Sequence, residues 1–103
     1  MKLTDAQIKE KINHLPENIK KAIHDFDWSG EIITIGKKYN LQIDELELFR
    51  MQTLEVIVGA SSAADYETNL KNSLHVSEDV ARDLVLEANQ HIFRELQKHA
   101  FTS

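Results

Sequence analysis

The chain reads as all-α: a compact five- or six-helix orthogonal bundle forming a single domain over residues 1–103. Three observations predict it. Apolar residues recur at three- and four-residue spacing through most of the chain, and serine, threonine and aspartate stand where helices would begin. One stretch, Glu45 to Gly59, is apolar in nearly every helical direction, with Leu46, Leu48, Phe49, Met51, Leu54, Val56, Ile57 and Val58 within it. A helix apolar all round has to be buried, so residues about 44–58 are expected to form a central helix wrapped by the others.

The first helix has a full start signal. Thr4 can cap it, Gln7 can reach back as the third residue of a capping box, and Leu3 can staple onto Ile8. Ile8, Ile12 and Leu15 carry its apolar face, and Pro16, the only proline, suits the first turn of a second helix bearing Ile19, Ala22, Ile23 and Phe26. After a turn over Asp27 to Gly30, Ile32, Ile33, Ile35 and Tyr39 argue a third helix that closes at Asn40. Gly36 within it, about 1 kcal/mol worse than alanine for helix propensity, predicts a close helix crossing. Asp44 is expected to cap the central helix with Glu47 completing its box, and Gly59 to end it as a left-handed cap. Ser61 or Ser62 starts a fifth helix with Tyr66, Leu70 and Leu74 on one face. Ser77 caps a long C-terminal helix over about 77–100, with Glu78 and Asp79 complementing its dipole. The turns Leu41-Gln42-Ile43-Asp44-Glu45 and Leu74-His75-Val76-Ser77-Glu78 share one pattern, 33 residues apart. Two such units are too few for a solenoid.

Composition narrows the function classes. Apolar residues make up 42% and charged residues 28%, as in ordinary globular domains. Without cysteine there is no disulfide, thiolate metal site or thiol nucleophile, which fits a reducing cytoplasm. The polar start MKLTDAQIKE does not read as a signal peptide, and no segment approaches the ~20 apolar residues of a membrane span, so a cytoplasmic location is expected. The net charge of -5 is uneven: residues 1–40 carry seven lysines against six acids, residues 41–103 five basic residues against eleven acids. Nucleic-acid binders concentrate basic charge to neutralise phosphates, whereas an acidic surface favours solubility or a basic partner.

Residues 31–51 have the outline of a DNA-binding helix-turn-helix, and Lys20, Lys21, Lys37 and Lys38 could form a patch beside it. The would-be recognition helix opens with Asp44, Glu45 and Glu47, which phosphate repels, so nucleic-acid binding is the alternative expectation and a structural turn the first. Glu87, His91, Glu95 and His99 follow one another at four-residue steps, a spacing that can present imidazole and carboxylate to a divalent metal such as zinc, or simply pair on a helix surface. His14, His24 and His75 stand singly. Asp25 and Asp27 flank Phe26 and read as helix caps, and with only Gly30, Gly36 and Gly59 there is no glycine-rich phosphate loop. No cofactor and no enzymatic activity are expected.

The last helix carries the main anomaly. Ala81, Leu84, Val85, Ala88, Ile92 and Leu96 make its core stripe, while Leu86, Phe93 and Ala100 fall at heptad spacing on the other side. Such a seam pairs helices with helices, so these three residues are the expected contact with another protein or with a second copy. The other reading is that the first two helices cover this side too.

From Leu15 onward the chain resembles a recurrent type of small, uncharacterised bacterial protein. The residues that carry the likeness are Leu15-Pro16, Ala22-Ile23, Phe26-Asp27, the run Ile35 to Leu41, Ile43-Asp44, Val58-Gly59, Asn69-Leu70, Asn89 and Ile92-Phe93. The resemblance implies an all-helical fold and attaches no activity, cofactor or functional residue.

Overall fold

A computed structural model describes residues 4–101. It is an all-α bundle: α1 (Asp5–Asn13), α2 (Glu17–Asp25), α3 (Trp28–Lys38), α4 (Ile43–Ile57), α5 (Ala63–Leu74), α6 (Glu78–Ala88) and α7 (Arg94–Phe101). A π turn over Asn89–Phe93 joins α6 to α7 as one continuous helix, so the described residues hold six helices in all.

Most of the helix starts legible in the sequence form as side-chain caps. Thr4 Oγ1 accepts from the Gln7 amide at 3.1 Å while Gln7 Oε1 accepts from the Thr4 amide at 2.9 Å, a complete capping box. Leu3, the expected staple, lies outside the described residues. Asp27 caps α3 through the Gly30 amide at 3.1 Å, so this helix begins inside the expected turn. Ser62 and Ser77 cap α5 and α6.

The start of α4 differs from expectation. α3 closes in a Schellman motif with Asn40 left-handed at φ 61°, the Leu41 amide donating to the Gly36 carbonyl and the Asn40 amide to that of Lys37. That turn delivers the chain in extended form at Gln42, which becomes the N-cap in place of Asp44, and the Glu45 carboxylate accepts from its amide at 2.7 Å. Glu47 is left free to bind Arg50. His75 is left-handed at φ 54°, so the two similar turns match at Asn40 and His75, an offset of 35 residues set by backbone conformation. Gly59, at φ 80°, ends α4 as expected, the Ala60 amide reaching the Glu55 carbonyl.

The core is shared between two helices. In α4, Phe49 and Thr53 are wholly buried and Leu54 nearly so, while Leu46, Leu48, Met51, Val56 and Ile57 are only half buried. The deepest stripe runs along the last helix, where Ala81, Leu84, Ala88 and Ile92 have no exposed surface and Leu96 and Ala100 continue the line. α6 packs on α5 and α3, α7 on α2, and α4 on α3 and α5. Thr53 is the only buried polar residue described; its hydroxyl donates to the Phe49 carbonyl at 2.8 Å. That uses its one proton, so the Tyr66 hydroxyl at 2.6 Å must donate to Thr53. Burial pushes the Tyr66 phenol well above its ordinary range, an effect the Thr53 contact only moderates.

The π turn settles where the last helix points its side chains. The Arg94 amide donates to the Asn89 carbonyl, five residues back, which makes the turn one residue wider than an α turn. One extra residue turns everything after it by about 100° relative to an unbroken α-helix. Ala100 is thereby brought onto the core stripe and Phe93 is drawn inward.

Candidate functional site

An apolar groove lies between α3 and the first turns of α4. On α3, Ile32, Ile35 and Gly36 face the core, so Ile33, one position on from Ile32, is rotated about 100° outward and is 46% exposed. Across from it Ile43, the first residue of α4, is 87% exposed. Ile32 and Leu46 line the groove between these two walls, with Ser29, Glu47 and Arg50 at its edges, and its volume is about 430 Å³. The close crossing expected at Gly36 is what brings Leu46 here: a Cβ on Gly36 would stand 2.0 Å from Leu46 Cδ2.

One charged pair borders the groove. Arg50 Nη2 donates to Glu47 Oε1 at 2.7 Å and its Nε to Oε2 at 3.2 Å, a two-pronged contact that holds the Glu47 carboxyl below the usual range and Arg50 above its own. Each charge satisfies the other. Such a lining offers apolar burial with a single fixed ion pair at the edge.

The expected seam on the last helix does not form. Leu86 is 53% exposed, Phe93 is half buried with its ring edge-to-face on Tyr66 at 5.7 Å, and Ala100 is buried at 5% exposure, its carbonyl accepting from Asn18 Nδ2 of α2 at 3.2 Å. The π turn is the cause, because heptad spacing marks one face only along an unbroken helix.

Of the four residues considered for metal, Glu87 and His91 contact each other, while Glu95 and His99 have partners outside the set. Glu87 binds Lys38 of α3 and stands 3.4 Å from His91 Nε2, Glu95 pairs with Lys98 at 3.1 Å, and the His99 ring stacks on Phe26 at 5.2 Å. Three steps of four residues also spread the set over about 18 Å of helix, so only neighbours could share an ion. Among the described residues no group of three or more histidines and carboxylates could hold a metal.

The lysine patch is similarly divided. Lys20 pairs with Glu17 at 3.0 Å and Lys38 with Glu87, leaving Lys21 and Lys37 exposed on different helices. The helix-turn-helix outline is present in α3 and α4, but its second helix presents Ile43, Asp44 and Glu47 outward. Asp25 contacts His24 at 3.2 Å, and only Asp27 of that carboxylate pair is a cap. No helix of the described residues is long and apolar enough to cross a membrane. No family model, curated protein or solved structure matches the chain.

The tie between α3 and α6 gives a pH prediction. The Glu87 side chain is only 12% exposed, and Lys38 first, then His91, holds its carboxyl below the ordinary carboxylate range. A carboxyl lowered on folding contributes stability above its unfolded pKa of about 4.3 and loses it as pH falls through the folded value. Glu47 and Glu78 are lowered in the same way by Arg50 and Lys71. Urea denaturation should therefore show stability falling below about pH 4.5, and Glu87→Gln should be less stable than wild type at pH 7, with the difference shrinking as the pH is lowered further. A constant difference between the two proteins across that range would mean that the tie carries no pH-dependent stability.

Proposed function

We propose that the protein is a small cytoplasmic interaction module with no chemistry of its own, and that it holds an amphipathic helical segment of another protein in the groove between α3 and α4. One observation carries this: two large aliphatic side chains, Ile33 and Ile43, stand exposed on opposite walls of the same apolar groove. Scattered exposed apolar residues are normal, whereas paired ones flanking a groove mark contact surfaces. Two apolar walls with an apolar floor suit a helix laid between them, read through anchors at i, i+3 or i+4 and i+7. A second copy is a poorer occupant, since a net charge of -5 on each chain opposes association. Leu86 contributes an isolated exposed side chain and is not part of this surface. Kinship with small all-helical bacterial proteins is likewise proposed, on the residues quoted for it.

The test is selection of helical peptides from a displayed library on the wild-type protein. Peptides that carry the i, i+3/i+4, i+7 apolar pattern should bind, and Ile43→Asp or Ile33→Asp should weaken them at least about a hundred-fold, the loss expected when a charge enters an apolar contact. Leu86→Asp should leave them unchanged. Peptides indifferent to Ile33 and Ile43 would contradict the proposal, and a wild-type dimer that Ile43→Asp converts to a folded monomer would make a second copy the occupant.

A further inference from the structure

Among the described residues, α1 is the one helix without a side-chain hydrogen bond or ion pair to another helix. Asn18 joins α2 to α7, Lys38 joins α3 to α6, Gln52 joins α4 to α5, and Lys71 joins α5 to α6. The side-chain contacts of α1 stay within its own span, from the Thr4–Gln7 box at its start to Glu10 and His14, 3.9 Å apart, at its end. Only the charge of Asp5 reaches outside, toward Arg50 on α4. Its packing is equally thin. Where α2 lies along α7, and α4 along α3 and α5, α1 makes no comparably broad contact with any helix. Ile8 is its single buried side chain, and Ile12 packs half buried against the same core.

The joint that follows can part without disturbing either neighbour. The His14 and Leu15 amides donate back into α1, whereas the Ile19 and Lys20 amides of α2 donate to the Pro16 carbonyl. Pro16 has no amide proton of its own, so among the described residues no backbone hydrogen bond bridges the Leu15–Pro16 boundary. We infer that α1 is a strap: it swings off the bundle as a unit about Leu15–Pro16 while α2 to α7 stay folded, and so uncovers the apolar seat of Ile8 and Ile12. Those two side chains are what holds it closed. Segments with few buried apolar contacts open at a free energy far below that of the whole fold. The nine residues of α1 also fall short of the roughly 12–15 that a helix needs to stand alone in water, so a released α1 unwinds. The strap does not depend on what the α3–α4 groove holds.

Native-state hydrogen exchange on the full chain tests this. The amides of Ile8 to Ile12 are expected to share one protection factor, at least about ten-fold below that of Phe49 and Leu84 in the core. Lys9→Pro then breaks α1 at an exposed position, while Trp28, the only tryptophan and itself buried, reports the rest of the fold through its fluorescence in urea. That variant should keep a single cooperative Trp28 transition. Its unfolding equilibrium should rise by no more than the wild-type protection factor of α1, because a strap contributes to the fold only what its own opening costs. Protection of α1 within about ten-fold of that at Phe49 would overturn the proposal, as would protection that climbs residue by residue along α1 in place of one shared value. A Lys9→Pro chain that loses its cooperative transition, or more stability than the α1 factor, would overturn it too, since α1 would then belong to one folding unit with the rest.

Discussion

Phe49→Ala is expected to remove a third or more of the stability of the domain. Phe49 has no exposed surface and sits on the one α4 stripe that is buried completely, next to Thr53 and one turn before it. Truncating a buried phenylalanine costs about 3–5 kcal/mol, because the lost transfer energy is joined by the cavity left behind. A domain of this size has roughly 5–15 kcal/mol in total. The melting temperature should fall on the order of 20 °C, and Phe49→Leu, which keeps most of the volume, should recover the larger part. Calorimetry or far-UV circular dichroism on heating reads this directly. A fall of less than about 5 °C would mean that α4 does not anchor the core.

The second large effect comes from removing single residues on either side of the π turn. Arg82 and Gln90 are both exposed, so neither side chain should matter much. Their backbones matter very differently. Without Arg82, everything after it turns by about 100°, and Leu84, Ala88, Ile92 and Leu96 leave the core together. At about 1.5–3 kcal/mol for each of Leu84, Ile92 and Leu96, the loss is about 5–9 kcal/mol, comparable to the whole stability of a small domain, and the unfolding transition should shift to far lower denaturant. Without Gln90, the π turn closes into an α turn, and Ile92, Leu96 and Ala100 keep their face. That chain should fold, losing at most about 2 kcal/mol by urea denaturation. If both deletions unfold the protein equally, the widened turn is not what sets the register of α7.

This contrast also explains how much was legible in the sequence. The all-α class, the six helices and most caps follow from local chemistry: a threonine, aspartate or serine hydrogen-bonding to an amide a few residues on needs no knowledge of the rest of the fold. The crossing at Gly36 was legible for a related reason, since a glycine within a helix has few other uses. The π turn also left a trace. Leu84, Ala88, Ile92, Leu96 and Ala100 recur strictly every four residues, sixteen in all, where four α turns take about 14.4. A seven-residue spacing does not register that surplus, which carries Ala100 onto the core side.

The groove was not legible, and the reason is geometric. Ile33 and Ile43 look in sequence like every other isoleucine of the core, and Ile43 resembles a staple residue in a turn. Whether such a side chain is covered depends on how α3 and α4 cross and on where the Schellman turn releases the chain. Moving the N-cap from Asp44 to Gln42 makes Ile43 the first helical residue and points it outward. Likewise the Glu87 to Lys38 tie joins residues 49 apart, a pairing that no local pattern encodes.

The central claim, that the α3–α4 groove is the binding face, is tested most directly by the footprint of a selected helical peptide on the amide spectrum of the wild-type protein. Shifts confined to the stretch from Ser29 to Ile33 and from Ile43 to Arg50, and absent with Ile43→Asp, are the predicted result. A footprint centred on Leu86 and the outer surface of the last helix, with Ser29 to Arg50 unmoved, would contradict it.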